Sequence, residues 1–260
     1  ALRPILVWLG VFLALWLPYF VWRWTYYGYL FPNTFYAKVD PGGAEIRRGL
    51  AYLHAFLWST GYWLLLPLSG VFFLKNRPAV RVILGTAAAY IAYVVFVGGD
   101  GLPMYRFFVP VLGFFGLLTA YGAEAWRTRL CLRPAFVRIG LALMVAAIAW
   151  AARPNFSGPD RAYIQQDISE VSAWKAIGLW FKENAAPSDT LAVLPAGAMP
   201  YFSGLPTIDM LGLNDTVIAH TPVRMGQGQA GHEKYNLPYL LQRAPTYFVI
   251  GVYGLAPKPL

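Results

Sequence analysis

The sequence ILVWLGVFLALWLPYFVW, residues 5–22, carries no charged side chain and decides the class of fold. A helix that crosses the roughly 30 Å hydrocarbon core of a bilayer needs about 20 mostly apolar residues. The stretch therefore predicts a membrane-spanning helix. Aromatic side chains crowd its C-terminal end, as expected where a helix leaves the hydrocarbon for the lipid headgroups.

Four further stretches have a similar character, which predicts about five transmembrane helices. Pro18, Pro67 and Pro110 fall within the spans, and membrane helices tolerate them because neighbouring groups satisfy the freed backbone. Together the spans form an all-α membrane domain over residues 1–152. The predicted spans are Ile5–Trp22, Gly49–Leu74, Val80–Val97, Phe107–Gly122 and Ala135–Ala152.

Charge and tryptophan divide the chain into two regions. Residues 1–152 hold 13 Lys and Arg against 4 Asp and Glu, whereas residues 153–260 hold 8 of each sign. Eight of the ten Trp also lie in the first region. The chain is 58% apolar and 13% charged, which excludes disorder, a collagen-like fibre and a disulfide scaffold. The net charge of +9 lies in the apolar region, so it points to a lipid bilayer and not to nucleic acid.

Basic residues between the spans predict the orientation. The loops at residues 75–81 and 124–138 carry seven Lys and Arg against one Glu, and the positive-inside rule assigns them to the cytoplasm. Alternation then places residues 23–48, 98–106 and 153–260 on the opposite side. We therefore expect these three segments to converge on the extracytoplasmic face.

The C-terminal region, residues 153–260, has the pattern of a small α/β domain. Apolar side chains recur every three or four residues over Ile168–Asn184, which predicts a helix. Alternation of helices and strands favours an α/β layer. Short apolar runs predict strands at Thr190–Leu194, around Pro206–Asp209 and at Tyr247–Val252, and a short helix at Leu237–Arg243.

The first group of candidate site residues follows the first span, in RWTYYGYLFPNTFYAK at residues 23–38. Tyrosines offer ring faces and hydroxyls to a sugar, and Lys38 offers a point charge to a phosphate. Pro32 and Asn33 favour a turn. Spacing alone favours the alternative, an interfacial segment held by its aromatic side chains. The candidates are Tyr26, Tyr27, Asn33 and Tyr36 for substrate, and Arg23 with Lys38 for phosphate.

The second group is GGDGLPMYR, residues 98–106, between the third and fourth spans. Glycines let a backbone approach a ligand closely. Asp100 has the chemistry to bind a sugar hydroxyl, a divalent cation or a neighbouring base, and Arg106 can bind a phosphate through two N–H groups. A pair that merely closes the loop is the alternative, and composition leaves both open. No other cofactor is indicated.

The third group lies in SGLPTIDMLGLND, residues 203–215. Asp209 is expected to end a strand, and sites often form at the carboxyl edges of open sheets. A binding role and a structural role both stay open for Asp209, whereas capping is favoured for Asp215. His232 adds a polar side chain on the same face, where a surface histidine is the simpler interpretation.

Nucleotide-binding glycine loops, HExxH and GxSxG do not occur in the sequence. A soluble nucleotide-sugar donor is therefore unsupported. A lipid-linked donor fits polar residues on the outer face better.

Three elements occur in this order: YYGYLFPNTFYAK at 26–38, GGD at 98–100 with RFFVP at 106–110, and TIDMLGLND at 207–215. Together they resemble the bacterial GT-C membrane glycosyltransferases, those typified by mycobacterial terminal arabinofuranosyltransferases. The resemblance implies a multi-pass protein of the bacterial inner (plasma) membrane with an extracytoplasmic α/β domain. It also implies sugar transfer from a polyprenyl-phosphate donor to a cell-envelope glycan acceptor.

The family's catalytic base is usually an Asp in its first outer loop, which has no counterpart in this sequence. We therefore expect the chain to be the C-terminal portion of a longer enzyme, with Asp100 as the reserve candidate for the base. Gly101 and Leu102 depart from the family pattern, in which an aromatic residue is commoner, so no particular sugar is implied.

Two other functions compete with this prediction. A non-catalytic envelope membrane protein would bind a glycan or a partner through its soluble domain, and this is the main alternative. A transporter would place ionisable side chains within its spans, where this sequence has very few.

Overall fold

The computed structural model describes residues 2–40, 42–60, 68–74, 77–102, 104–152, 159–226 and 228–250. Within these ranges the chain is mostly helical, with short strands near the C-terminal end. The helices are α1 (Leu2–Tyr27), α2 (Asn33–Lys38), α3 (Gly43–Thr60), α4 (Pro78–Phe96), α5 (Val109–Arg129), α6 (Pro134–Ala152), α7 (Pro159–Asn184), α8 (Ala198–Ser203), α9 (Thr216–Ala219) and α10 (Leu237–Arg243). The strands are β1 (Leu191–Val193), β2 (Thr207–Asp209) and β3 (Tyr247–Val249), and 3₁₀ turns cover Gly70–Leu74 and Arg106–Phe108.

Three helical stretches are long and apolar enough to cross a membrane, namely Arg3–Tyr27, Pro78–Phe96 and Arg106–Arg129. They confirm apolar helices at the first, third and fourth predicted spans. The fifth is helical as α6, whose stretch Pro134–Ala147 is a shorter apolar helix. The second includes residues 61–67, which lie outside the described ranges, and its helix α3 begins before the predicted start.

The apolar helices pack around small clusters of buried side chains. Phe56 of α3, Val94 of α4 and Val111 of α5 meet in one cluster, so α4 lies between α3 and α5. A second cluster joins the 3₁₀ turn at Gly70–Leu74 to α4 and α5 through Leu118. Helices inside a bilayer associate through such close contacts, because lipid tails are as apolar as the side chains.

Helix α1 lies apart from these clusters. None of the side chains in its apolar segment is buried. Its aromatic residues recur every four positions, so their rings follow one another along the helix. The Trp16 and Phe20 ring centroids, for example, are 4.7 Å apart. This is the surface expected of a helix that faces lipid.

The C-terminal unit is a small layered α/β structure. Its parallel sheet has the order β2-β1-β3, with Val193 of β1 opposite Asp209 of β2 and Val249 of β3. Leu191 and Val193 pack against α7 and α8, and Ala192 packs on the other face against α9 and α10. The predicted strands and the short helix Leu237–Arg243 are confirmed.

Some elements differ from the prediction. Helix α7 begins at Pro159, well before Ile168, because its first turns are polar and show no apolar periodicity. Helices α2, α8 and α9 were not predicted, since each has six residues or fewer. Strand β3 ends at Val249, and residues 251 and 252 of the predicted run lie outside the described ranges.

Candidate functional site

The segments predicted to share one face meet at one end of the helical bundle. The Asn33 amide of α2 donates to the Gly212 carbonyl at 2.7 Å, across 179 residues of sequence. The Arg48 guanidinium of α3 donates to the Gly98 carbonyl at 3.1 Å and to Glu233 at 2.9 Å. These bonds bring the candidate residues of all three sequence groups into one neighbourhood.

The GGD loop, residues 98–106, folds back on itself. Arg106 donates to both carboxylate oxygens of Asp100, one of the bonds measuring 3.2 Å. The Asp100 side chain is 8% exposed, whereas that of Arg106 is 52% exposed. Met104 and Tyr105 adopt left-handed backbone angles, with φ of +70° and +48°. Such strained conformations cluster at functional sites.

Lys38, Asp100 and Arg106 line a single cavity of about 560 Å³, which we name the charged cavity. Within the described ranges, no carboxylate forms an ion pair with the Lys38 ammonium. The aliphatic part of Lys38 lies against Gly231, so its charged end remains available to the cavity. Apolar rings complete the wall and are contributed by Phe31, Phe35, Tyr93 and Phe107.

The roof of the charged cavity comes from the C-terminal unit. Ala230 and Gly231 line it, and the Ala230 carbonyl lies so close to Gly101 that a Cβ there would be 2.6 Å away. Real Cβ atoms essentially never come so near a backbone oxygen, so this approach requires a glycine. Gly101, where the sequence departs from the GT-C pattern, thus lets the two segments meet.

An ion network centred on Arg48 supports this roof, and sequence analysis missed it. The Arg48 guanidinium lies between the Glu45 and Glu233 carboxylates, at 3.1 and 2.9 Å. Glu233 also accepts hydrogen bonds from the Gly226 and Gly228 N–H groups, at 2.8 and 2.6 Å. No local pattern signals such a network, because its members come from distant parts of the sequence.

The two carboxylates of this network respond oppositely to their surroundings. Burial raises the pKa of Glu45 above its ordinary value, although the Asp40 N–H and Arg48 act in the lowering direction. Burial also acts to raise the pKa of Glu233, but Arg48 and two backbone N–H donors together outweigh it and lower that pKa. Glu233 is thus the better satisfied anion.

The carboxylates of the third sequence group serve the protein itself. Asp209 is 3% exposed and accepts from the N–H groups of Leu211 at 3.0 Å and Asn214 at 2.8 Å. Asp215 caps α9 by accepting from the Ile218 N–H at 3.0 Å, and also accepts from the Tyr239 hydroxyl at 3.0 Å. In this structure groups of the protein therefore hold both carboxylates.

A second cavity, of about 420 Å³, lies at the end of α1, and we name it the amide cavity. Asn33 and Asn214 line it together with Arg23 and Tyr27 from α1. Arg23 donates to the Leu30 carbonyl and does not line the charged cavity. The structure thus separates Arg23 from the other two predicted phosphate ligands, Lys38 and Arg106.

The remaining candidates, Tyr26, Tyr36 and His232, line neither cavity. Tyr36 contacts His220 with tilted rings whose centroids are 4.3 Å apart, and Tyr29 stacks on the same imidazole at 4.2 Å. His220 was not predicted, and a lone histidine gave no signal. Tyr26 projects from α1 and is 70% exposed. His232 is exposed, with its Nδ1 atom 3.1 Å from the Ala230 carbonyl.

A divalent cation is one of the partners that the sequence leaves open for Asp100. Within the described residues, no group of three or more His, Cys, Asp or Glu side chains is arranged to hold a metal ion. Asp100 is instead bound by Arg106.

Comparison with known proteins is informative for the C-terminal unit alone. Residues 161–257 are similar to a family described as a domain of unknown function (DUF8728). That match covers less than half of the chain. No curated protein and no solved structure matches the chain. The resemblance to GT-C glycosyltransferases stays a prediction.

Proposed function

We propose that this chain is part of an integral-membrane glycosyltransferase that takes a sugar from a polyprenyl-phosphate donor on the extracytoplasmic face. In this proposal five helices cross the bacterial inner membrane, and the acceptor is a glycan of the cell envelope. The observation that carries it is the charged cavity, in which Lys38 and Arg106 come together beside apolar rings at the end of membrane-length helices.

The charges suit a phosphate leaving group. When the acceptor hydroxyl attacks the anomeric carbon, the bond from that carbon to the phosphate oxygen breaks. The electron pair stays on the phosphate, whose negative charge rises. Lys38 and Arg106 would stabilise that developing charge, as preorganised cations do at transferring groups. The acceptor proton passes to a carboxylate base, which the family resemblance places in another outer loop.

Asp100 has a different part in this proposal. Its carboxylate is engaged by Arg106 and is nearly buried, so it is poorly placed to accept a proton. It would instead orient the guanidinium toward the cavity. This makes Asp100 a positioning residue for Arg106.

The size and apolar wall of the charged cavity also fit the donor. Ligand sites commonly enclose about 300–1,000 Å³, and about 560 Å³ accommodates a phosphate with its adjoining groups but not a whole polyprenyl chain. Phe31 and Phe107 offer apolar surface to the isoprene unit next to the phosphate. The rest of the lipid would stay in the bilayer.

The decisive experiment is transfer of labelled sugar from a panel of polyprenyl-phosphate sugars by membranes that express the full-length gene. We expect Lys38→Ala and Arg106→Ala each to lower the transfer rate about 100-fold or more, the size typical of losing one transition-state contact. Lys182→Ala and Arg133→Ala remove exposed charges that do not line the cavity and are matched controls. Equal expression of all variants in the membrane is verified by immunoblot.

Wild-type rates in both cavity variants would refute the assignment of Lys38 and Arg106. If no donor in the panel supports transfer, the non-catalytic glycan-binding protein becomes the favoured alternative.

A further inference from the structure

The amide cavity differs in chemistry from the charged cavity, although the two adjoin. Phe31, Pro32 and Thr34 line both, so this short segment is their common wall. The polar groups of the amide cavity are side-chain amides and hydroxyls. They come from Asn33, Thr34, Asn214 and Thr216.

Charge is largely withdrawn from the amide cavity. Arg23 is its basic lining residue among those described, and its guanidinium donates to the Leu30 carbonyl and lies 5.5 Å from the Phe20 ring centroid. None of the described lining residues is acidic. A phosphate would therefore find better partners in the charged cavity, whereas neutral hydroxyls match the amides.

Aromatic faces complete the arrangement. Trp22, Tyr27 and Tyr29 line the amide cavity, and all three side chains are substantially exposed. Amphipathic rings beside amides and hydroxyls provide both surfaces that a sugar presents, its C–H faces and its hydroxyl edges.

Hydrogen bonds within the protein already hold Asn33, a lining residue of the amide cavity, in place. The Asn33 Nδ2 group is held by the carbonyls of Gly212 and Leu213, at 2.7 and 3.2 Å. The Asn33 Oδ1 atom is buried and accepts no hydrogen bond from the described residues. Buried polar atoms are rarely left unmet, which marks Asn33 as a lining residue with an unused acceptor.

We infer that the amide cavity is a carbohydrate subsite, which binds the neutral end of the acceptor glycan beside the donor phosphate. The assignment of the bound sugar as the acceptor rests on the proposed function. The prediction that the cavity binds a sugar does not depend on it. The common wall at residues 31–34 would then keep the acceptor hydroxyl next to the donor's anomeric carbon.

The inference is tested by binding in the absence of any donor. The full chain, purified in lipid nanodiscs, is titrated by calorimetry with neutral tri- and tetrasaccharides of arabinose, galactose, mannose and glucose. At least one of these probes is expected to bind. Tyr27→Ala and Asn214→Ala should each weaken that binding about tenfold, the effect of losing a ring face or a buried-site hydrogen bond.

Matched controls separate this effect from general damage. Tyr235→Ala and Asn184→Ala remove exposed side chains of the same types outside the cavity and should bind as the wild type does. Tyr27→Phe keeps the ring and should retain more affinity than Tyr27→Ala. Wild-type thermal unfolding of each variant verifies that it folds.

Three outcomes would overturn the inference: no probe binds, the cavity variants bind as well as the controls, or unglycosylated polyprenyl phosphate competes with the sugar. The last would assign the cavity to the donor. Loss of transfer in Lys38→Ala is a separate result. If no donor supports transfer while Tyr27 and Asn214 still govern sugar binding, the proposed function falls and the carbohydrate subsite stands.

Discussion

The GGD loop and the loop at residues 209–215 are both short, glycine-containing and built around an aspartate. The second loop, which we name the Asp209 loop, supports itself, because the buried Asp209 carboxylate accepts N–H groups from its own following residues. The GGD loop is supported from outside, since Arg48 of helix α3 binds the Gly98 carbonyl. Its own Asp100 is bound to Arg106, which is half exposed to the charged cavity.

The hydrogen-bond partners of an aspartate indicate whether its loop can serve a ligand. A carboxylate that accepts several backbone N–H groups stabilises the loop, and it has few acceptor sites left for a ligand. A loop held by a remote cation leaves one of its own charged side chains, the half-exposed Arg106, available. In the sequence both are glycine-containing stretches with an Asp, so the distinction lies in the hydrogen-bond partners.

The largest expected effect comes from removing the external support of the GGD loop. Arg48→Met leaves the buried Glu45 and Glu233 carboxylates without their shared cation, and breaking a buried ion pair in this way costs about 3–5 kcal/mol. Denaturant or thermal unfolding in nanodiscs measures the loss. Arg47→Met, an exposed neighbour, is the control and should lose less than about 0.5 kcal/mol. A small loss in Arg48→Met would mean that the GGD loop also supports itself.

The same variant has a predicted pH dependence. Removing Arg48 removes an effect that lowers the pKa of both Glu45 and Glu233, so both carboxyls bind protons more tightly in the folded variant. Its stability relative to the wild type therefore rises as the pH falls. We expect the deficit to be larger at pH 7.5 than at pH 5, as measured by parallel unfolding curves. A deficit that grows on acidification would contradict the network.

In the wild type the two residues contribute with opposite signs. The raised pKa of Glu45 gives stability that is present below its ordinary value of 4.5 and is lost as the pH rises through the folded value. The lowered pKa of Glu233 gives stability that is present above 4.5 and is lost as the pH falls through its folded value.

Removing the internal support of the Asp209 loop should have the next largest effect. Asp209→Ala leaves the Leu211 and Asn214 N–H groups without an acceptor, which costs about 2–3 kcal/mol for a buried charged acceptor. The unfolding of the C-terminal unit, followed by proteolysis or heat, checks this. Asp167→Ala on the exposed face of α7 is the matched control. Unchanged stability would show that the loop does not depend on its carboxylate.

The smallest effect on stability is expected from Asp100→Asn. Arg106 is half exposed and can be solvated when its partner loses charge, so the loss should stay below about 1 kcal/mol. Transfer should nevertheless fall at least about tenfold, because Arg106 loses its orienting anion. A stability loss as large as that of Asp209→Ala would make the two loops equivalent.

Much of the secondary structure could be predicted because the governing signals are local. An uncharged stretch such as residues 5–22 identifies its helix directly, and the start of Leu237–Arg243 follows from the Asn236 cap and Pro238 in the first turn. Short elements such as α2 have too few residues for a period to emerge. For the charged cavity, the sequence named Lys38, Asp100 and Arg106 as candidates, but it did not show that they share one cavity.

By itself the sequence determined the apolar helices, the α/β character of the C-terminal unit and the chemical types of the candidate site residues. Hydropathy and periodicity are properties of neighbouring residues, so they can be recognised from the sequence alone. The folded structure is needed to show that Arg48 joins Gly98 to Glu233 and that Gly212 holds Asn33. It is also needed to show which aspartate has its carboxylate saturated by backbone N–H donors. Those assignments depend on distances between residues far apart in the chain, and no local pattern encodes them.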